Sequence, residues 1–205
     1  MARKAASSVK QKRGTSLSSL LLKNRSHRAF DRSFVVREDQ LRSIVEVNRL
    51  TPSARNRQPL RFRAVLSDEA DLVTPHIRLG AALPDLHLPT EEGRPNAYII
   101  ICSTVPEDRY VAIDLGISAQ SMLLRAVEMG LGGICIAAFD RTAIKEALSL
   151  ELEPLMILAI GRGADRIELK SITEEESRDY YREGGIHYVP KLELDALLIH
   201  PKEQK

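Results

Sequence analysis

The sequence of 205 residues contains no tryptophan and only two cysteines. Two cysteines are too few for the disulfide framework of a small secreted protein, and no apolar run approaches the roughly 18 residues of a membrane span. Hydrophobic residues make up 43% of the chain and charged residues 28%, proportions that exclude a disordered protein. The composition therefore predicts a globular domain, which at this length buries about 70% of its unfolded surface.

Several motifs of familiar catalytic and binding sites are also missing. The chain has no GxGxxG dinucleotide fingerprint, no GxxxxGK[ST] phosphate loop and no GxSxG nucleophile turn. Its five histidines lack HxxxH or CxxC partners, so a zinc site has no support. The two cysteines, Cys102 and Cys135, lie within apolar runs, and we expect both to be reduced and buried.

The formal net charge of +2 is unevenly distributed. Residues 1–16 carry five basic side chains and no acid, and removing those five charges leaves −3 for residues 17–205. We therefore expect a disordered basic tail over 1–16, one domain over 17–205, no nucleic-acid or membrane partner, and a cytoplasmic location. A less favoured alternative is a non-enzymatic dimeric scaffold whose basic tail engages an acidic partner or a membrane surface.

Hydrophobic periodicity predicts a chain of alternating helices and strands. Helices are predicted over 17–24, 38–49, 109–129 and 141–148, with a weak one over 69–79, and strands over 61–66, 97–102, 133–138 and 155–160. The segment 51–59, with two prolines, is predicted to be a loop, and the highly charged segment 174–182 a solvated face. This order predicts an α+β layer structure with a mixed sheet.

A first cluster with a chemical signature, Asn24 to Arg28 (NRSHR), follows the first predicted helix. Two guanidiniums around a hydroxyl, in a turn with free backbone amides, suit a phosphate cradle, because guanidinium binds phosphate bidentately. The alternative is that Arg25 and Arg28 are solvated residues favoured by the helix dipole.

A second cluster, Pro52 to Pro59 (PSARNRQP), is stiffened by proline at both ends. Its Ser, Asn and Gln side chains place donors and acceptors in one short span, which suits a planar ring with polar edges. The alternative is a plain turn between a helix and a strand. We expect Asp114 and Gln120, in the long predicted helix, to face solvent or cap a neighbouring element.

Taken in order, these segments resemble motifs of the nitroreductase family of flavin enzymes. The segment 25–30 (RSHRAF) resembles the family's opening R-S-x-R-x-F motif, and 52–59 resembles its P-S-A-x-N-x-Q-P loop. Residues 114–124, followed by the glycine turn 130–133, resemble its central helix. The segments 92–98 (EGRPNAY) and 185–191 (GIHYVPK) resemble an uncharacterised bacterial subgroup, so the resemblance spans about residues 17–200.

The resemblance implies an FMN enzyme on an α+β three-layer sandwich, with a mixed central sheet flanked by helices. It also implies an intertwined homodimer whose terminal segments wrap the partner and whose two FMN sites lie at the subunit interface. The phosphate and ribityl chain would be held by Arg25, Ser26 and Arg28, the backbone of His27, and Lys191 as a late positive charge. The flavin would be reached from the other subunit by Pro52, Ser53, Asn56 and Gln58, and followed along one face by the backbone of Cys135, Ile136 and Ala137.

The implied activity is ping-pong hydride transfer from NAD(P)H to an electron-poor acceptor such as a nitroaromatic or quinone. Because the cofactor carries the redox chemistry, no general acid is required and no catalytic side chain is assigned. Two departures from the family pattern favour an alternative, an FMN-binding or flavin-processing relative with little NAD(P)H turnover. The segment 83–96 is short and rich in proline and glycine, and neither the Asn nor the Lys that many members carry before this strand can be placed in it, while Ala137-Ala138 stands where others have an acidic residue and a glycine.

Overall fold

The structure, a computed structural model, describes residues 15–80, 86 and 88–199. Within these residues the chain forms the α-helices Leu17–Lys23 (α1), Glu38–Glu46 (α2), Arg109–Glu128 (α3), Arg141–Ala147 (α4) and Leu194–Leu197 (α5). The strands are Leu60–Val65 (β1), Tyr98–Ser103 (β2), Gly132–Ile136 (β3), Glu153–Gly161 (β4), Arg166–Ile172 (β5), Tyr181–Glu183 (β6) and Ile186–Leu192 (β7). Residues 1–14 of the expected basic tail lie outside the described residues, as do 83–85 and 87 of the segment 83–96.

The apolar strands form a four-stranded antiparallel sheet in the order β1-β2-β4-β3. Helix α3 carries the chain from β2 to β3, so these two strands run in the same direction, but β4 lies between them and is antiparallel to both. The predicted mixed central sheet is therefore wrong for these strands, because inserting β4 separates the two strands that a parallel pairing would join. In the described residues, parallel pairing at this sheet is confined to a single bridge between Ser26 and Gly133 at the β3 edge.

Both faces of the two inner strands of the central sheet, β2 and β4, are buried. On one face, Ile99 and Ile101 of β2 belong to the core that contains the apolar side of α2 and most of the buried residues of α3. On the other face, Tyr98 and Ile100 pack in a second core with Ile144 of α4. A strand covered on both faces is apolar at nearly every position, which is why the run YIIIC predicts β2 from sequence.

Four of the predicted helices are confirmed as α1, α2, α3 and α4. Ser16 caps α1 by accepting a hydrogen bond from the backbone N–H of Ser19 at 3.2 Å. Gly130 follows the end of α3 with a φ of +77°, a conformation that glycine adopts without the penalty of a Cβ atom. These local signals fix where the predicted helices begin and end.

The weak helix predicted over 69–79 is wrong. The segment forms two single 3-10 turns, Ala70–Leu72 and Thr74–His76, instead of a continuous α-helix. Pro75 lies inside it, and proline lacks the N–H that a continuous helix would use and disfavours the helical conformation of the residue before it.

A second sheet, which has no counterpart among the predicted strands, contains the C-terminal strands in the order β5-β7-β6. β5 pairs in parallel with β7, and β6 pairs antiparallel with it. Its strands are only partly buried, and the segment 174–182 beside it is exposed at nearly every residue, as predicted. This sheet places His187 and Lys191 of β7 next to the turn that follows α1.

Candidate functional site

The turn that follows α1 is fixed against the edge of the central sheet. The backbone N–H of His27 donates to the carbonyl of Gly133 at 3.2 Å, beside the bridge from Ser26 to the same glycine. Three residues further on, the N–H of Phe30 donates to the carbonyl of Gly93 at 3.0 Å. The turn is therefore held at both ends by backbone hydrogen bonds to distant segments.

Asp165, between β4 and β5, holds the middle of this turn. One carboxylate oxygen accepts from the backbone N–H groups of Arg28 and Ala29 at 2.6 and 2.8 Å, and the other accepts from the Arg182 guanidinium at 2.6 Å. The side chain is only 6% exposed. Because both oxygens are occupied, the carboxylate fixes the backbone of the turn from behind.

His27 packs its side chain into a slot between two glycines. A Cβ atom added to Gly132 would lie 2.7 Å from the ring, and one added to Gly163 would lie 2.3 Å from it, so neither position has room for a side chain. Burial lowers the pKa of His27, nearby Arg25 lowers it further, and Asp165 opposes the shift. The ring therefore packs against the turn, and it does not line the pocket in front of the turn.

A pocket of about 330 Å³ opens in front of the turn. Its walls come from the turn, from helix α3, from strand β3 of the central sheet, and from the C-terminal sheet. The lining residues are Leu21, Asn24, Arg25, Ser26, Arg28, Gln120, Leu123, Gly133, Cys135, Ile167, Tyr180, His187, Val189 and Lys191. The lining contains three side chains that are cationic at neutral pH and no carboxylate, so this pocket favours an anion.

The two guanidiniums keep donors that no protein acceptor satisfies in the described part of the chain. Arg25 donates from Nη2 to the carbonyl of Leu21 at 2.7 Å, and Arg28 donates from Nη1 to the carbonyl of Ser26 at 3.1 Å. The Nε atoms of both arginines are buried and have no hydrogen-bond partner there. Buried N–H groups without acceptors are costly, and phosphate oxygens supply the acceptors that guanidinium prefers. The pocket therefore fits the phosphate end of a nucleotide-like cofactor.

Cys135 lies on the pocket wall, and the expectation that it is buried is wrong. Its neighbours on β3, Ile134 and Ile136, point into the core, and strand alternation turns the Cys135 side chain to the exposed side. Cys102 is buried as predicted, and burial is the main cause that raises the pKa of its thiol to about 11. Ala137, which follows β3, is exposed.

The proline-bounded loop, Pro52 to Pro59, lies at a different cavity. Pro52, Ser53 and Gln58 line a groove of about 760 Å³ between α2 and β1, whereas the Asn56 side chain is exposed and lines neither cavity. Within one chain the two predicted clusters are therefore not brought together.

The backbone of this loop is strained. Arg55, Asn56 and Gln58 have φ values of +53°, +53° and +48°, the left-handed region that costs residues with a Cβ roughly 1–2 kcal/mol each. Two hydrogen bonds hold the loop in this shape, one within the loop and one to helix α3. The N–H of Gln58 donates to Ser53 Oγ at 3.1 Å, and the N–H of Ala54 donates to the buried carboxylate of Asp114 at 2.8 Å.

Asp114 therefore caps a neighbouring element, one of the two roles expected for it, while Gln120 is exposed and accepts from Asn24 Nδ2 at 3.4 Å. Strained non-glycine backbone is concentrated at functional sites, where the surrounding structure compensates for it.

Three residues that contact Arg28 are not among the predicted site residues: Asp165, Tyr180 and His187. The guanidinium carbon of Arg28 lies 4.3 Å from the centroid of the Tyr180 ring, and its Nη1 lies 3.1 Å from His187 Nε2. The motif at 185–191 includes His187, but its partner is 159 residues away, and no local spacing indicates that contact.

Two further classes of site find no support in the part of the chain that the structure describes. No group of three or more His, Cys, Asp or Glu side chains there is arranged to hold a metal ion. No helix there has the length and apolar character needed to cross a membrane.

Comparison with known sequences identifies the family of the chain. A sequence model of the Nitroreductase family matches residues 21–162, more than half of the chain. A curated relative, the provisionally named nitroreductase MJ1384 of Methanocaldococcus jannaschii, is 37% identical over 54 residues. That match covers 26% of this chain and 27% of the relative, so the aligned segment spans about a quarter of each protein.

Solved structures share the fold at low sequence identity. A provisionally named nitroreductase from Desulfovibrio desulfuricans, crystallised with FMN, is 20% identical with a TM-score of 0.63, covering 91% of this chain and 97% of that one. The FMN- and NADPH-dependent nitroreductase NfnB from Sphingopyxis sp. strain HMH is 19% identical with a TM-score of 0.60, covering 73% of this chain and 89% of that one. At these identities the likeness establishes the α+β fold.

Proposed function

This chain belongs to the nitroreductase family, and from that membership we propose that it is an FMN-dependent oxidoreductase. It would move hydride from NAD(P)H to an electron-poor acceptor such as a nitroaromatic or quinone. The order is ping-pong: NAD(P)H donates its hydride and leaves before the acceptor binds the same site. The observation that carries the proposal is the pocket with three cationic side chains and no carboxylate.

The phosphate end of FMN would bind in this pocket. Arg25 and Arg28 offer unsatisfied guanidinium donors, Ser26 offers a hydroxyl, and Lys191 adds a positive charge from β7. The backbone N–H of His27 donates to the carbonyl of Gly133, so His27 would contribute the packing that fixes the turn and not a free backbone donor. FMN, when bound, supplies the two-electron chemistry, while the chain binds and orients it and sets the surrounding charge.

The flavin ring would extend from the pocket along the edge of β3. There the backbone of Cys135, Ile136 and Ala137 would follow one face of the ring. Gly133 lies on the pocket wall, and a Cβ atom there would lie 2.4 Å from the carbonyl oxygen of Ala159 in β4, so the close packing of β3 against β4 requires this glycine.

The second half of the site would come from a partner subunit. Within one chain the loop carrying Pro52, Ser53, Asn56 and Gln58 faces a cavity other than the cradle, and it is strained and exposed. An intertwined homodimer, with each chain a three-layer sandwich, would bring this loop to the flavin of the other chain. The exposed apolar side chains of the short helices at both ends, among them Leu17, Leu22 and Leu194, suit a surface that a partner covers.

The remaining expectations complete the proposal. Residues 1–16 would be a disordered basic tail, residues 17–205 the FMN-binding domain, and the location cytoplasmic. Free thiols at Cys102 and Cys135 agree with a reducing compartment.

A second candidate is an FMN-binding or flavin-processing relative with little NAD(P)H turnover. The observation that favours it is that Ala137-Ala138 and the short segment 83–96, rich in proline and glycine, depart from the pattern of many family members. Both candidates use the same cradle, so only turnover separates them.

The test is to purify the recombinant chain, record its absorption spectrum, titrate it with FMN, and follow NADH and NADPH oxidation with menadione or a nitrofuran. Flavin bands and NAD(P)H consumption stimulated by the acceptor would support the oxidoreductase. Tight FMN binding without stimulated consumption would support the second candidate. A colourless protein that binds no added FMN would refute both.

A further inference from the structure

His187 lies on the wall of the pocket and contacts Arg28, which lines the same pocket. The side chain is 2% exposed, and its Nε2 lies 3.1 Å from Arg28 Nη1. A guanidinium has donors and no acceptor, so His187 Nε2 must accept this hydrogen bond. An imidazole that accepts at Nε2 is neutral and carries its proton on Nδ1.

Arg28 is held on three sides by this arrangement. Its Nη1 donates both to the carbonyl of Ser26 at 3.1 Å and to His187, and its guanidinium lies over the ring of Tyr180. Tyr180 also contacts His187, with ring centroids 5.2 Å apart. With Nη1 engaged, the buried Nε N–H of Arg28 has no acceptor among the described residues, so this guanidinium keeps a donor that an anion could satisfy.

We propose that His187 is a positioning residue for the FMN phosphate: in its neutral form it holds Arg28 in the phosphate-binding orientation, and its protonation releases Arg28 and weakens FMN binding. This inference rests on the proposed function, because it assumes that the cradle binds the phosphate of FMN.

The charges around His187 determine the direction of its response to pH. The groups that face it are Arg28 from the turn, Asp165 before β5, Tyr180 and Arg182 beside it on the β6 side, and Lys191 on the same strand. Burial lowers the pKa of His187, Arg28 and Arg182 lower it further, and Asp165 opposes them. The imidazole is therefore neutral at pH 7 and gains its proton only below its ordinary pKa of about 6.5. FMN affinity should be constant above that pH and fall below it.

The experiment measures the dissociation constant of FMN for the full chain from flavin fluorescence between pH 5.5 and 8. The variants are His187→Phe, which keeps a ring but has no acceptor, and His187→Gln, whose amide oxygen accepts without titrating. His76→Phe, in the 3-10 turn Thr74–His76 away from the pocket, is the matched control. Riboflavin, which has no phosphate, is the control ligand.

At pH 7.5 His187→Phe should bind FMN about 10- to 100-fold more weakly than wild type, because it loses one hydrogen bond to a charged group that positions Arg28. His187→Gln should stay within about threefold of wild type, as expected if one neutral acceptor replaces another. Below pH 6.5 the wild type should lose more affinity than His187→Gln, whose remaining pH dependence comes from the phosphate itself, with a second pKa of about 6. Riboflavin binding should change little with either variant.

The outcomes separate this inference from the proposed function. If wild type binds no FMN, the proposed function falls and the inference falls with it. If wild type binds FMN but His187→Phe binds equally well, or wild-type affinity rises at low pH, only the inference is wrong. Should His187→Phe fail to fold, the difference in pH profile between wild type and His187→Gln decides the question: identical profiles overturn the inference.

Discussion

The two clusters that carry the family resemblance differ in how far a single chain completes them. The cradle at Arg25 to Arg28 is held by Asp165, backed by Tyr180 and His187, and opens into its own pocket. The loop at Pro52 to Pro59 has three residues in left-handed backbone, is largely exposed, and borders a separate groove. One half of the proposed site is assembled within the chain, whereas the other half, as proposed, would need the surface of a second subunit.

The largest effect is expected from removing the cradle's charge. Arg25→Ala combined with Arg28→Ala should weaken FMN binding by about 100-fold or more, since each charge-assisted contact contributes about 1.5–3 kcal/mol. Equilibrium titration with FMN measures this directly. The matched control is Arg32→Ala with Arg141→Ala, which removes two exposed ion-paired arginines and the same net charge. Equal FMN affinity in the two double variants would contradict the assignment of the cradle.

A complementation experiment tests whether the loop serves the other subunit. A variant with Asn56→Ala and Gln58→Ala should bind FMN poorly, as should the double arginine variant. When the two chains are co-expressed and mixed dimers purified by two affinity tags, one site of each dimer would combine an intact cradle with an intact loop. About half of the sites should then bind FMN. A mixed dimer without tight FMN binding would show that the loop does not serve the partner's cradle.

The smallest effect is expected from relieving strain in the loop. Arg55→Gly removes a Cβ atom at a φ of +53°, whereas Arg57→Gly changes a residue with an ordinary φ of −71°. Because both variants add the same chain entropy to the unfolded state, Arg55→Gly should be about 1–2 kcal/mol more stable than Arg57→Gly. Urea denaturation measures the difference in free energy of unfolding. Equal stability would mean that the left-handed backbone at Arg55 carries no strain in solution.

The sequence predicts the central part of the fold well, because its elements have strong local signals. β2 is apolar throughout, and the long α3 is ended by Gly130. The C-terminal sheet escapes prediction because β5 (RIELKSI) is half exposed and charged, and β6 has only three residues. The expected mixed sheet fails for another reason, since the pairing of β4 between β2 and β3 leaves no trace in local periodicity.

The local motifs predict where the cradle lies in the sequence, but they do not predict which distant residues hold it in place. Arg25, Ser26, Arg28, Cys135 and Lys191, all predicted as site residues, line one pocket in the structure. Asp165 and His187 act on Arg28 across 137 and 159 residues, and contacts of that range have no signature in a single sequence.

The long sequence separation of Asp165 and His187 from Arg28 determines when the cradle can form during synthesis. Chains emerge from the ribosome N-terminus first, at about 5–20 residues per second, and contacts between distant segments form late. The helix and turn that carry Arg28 appear early, but Asp165 and His187 follow only when most of the chain has been made. The cradle is therefore completed late in the synthesis of this domain, and a cofactor held by Arg28 in this arrangement would bind only after residue 187 has been made.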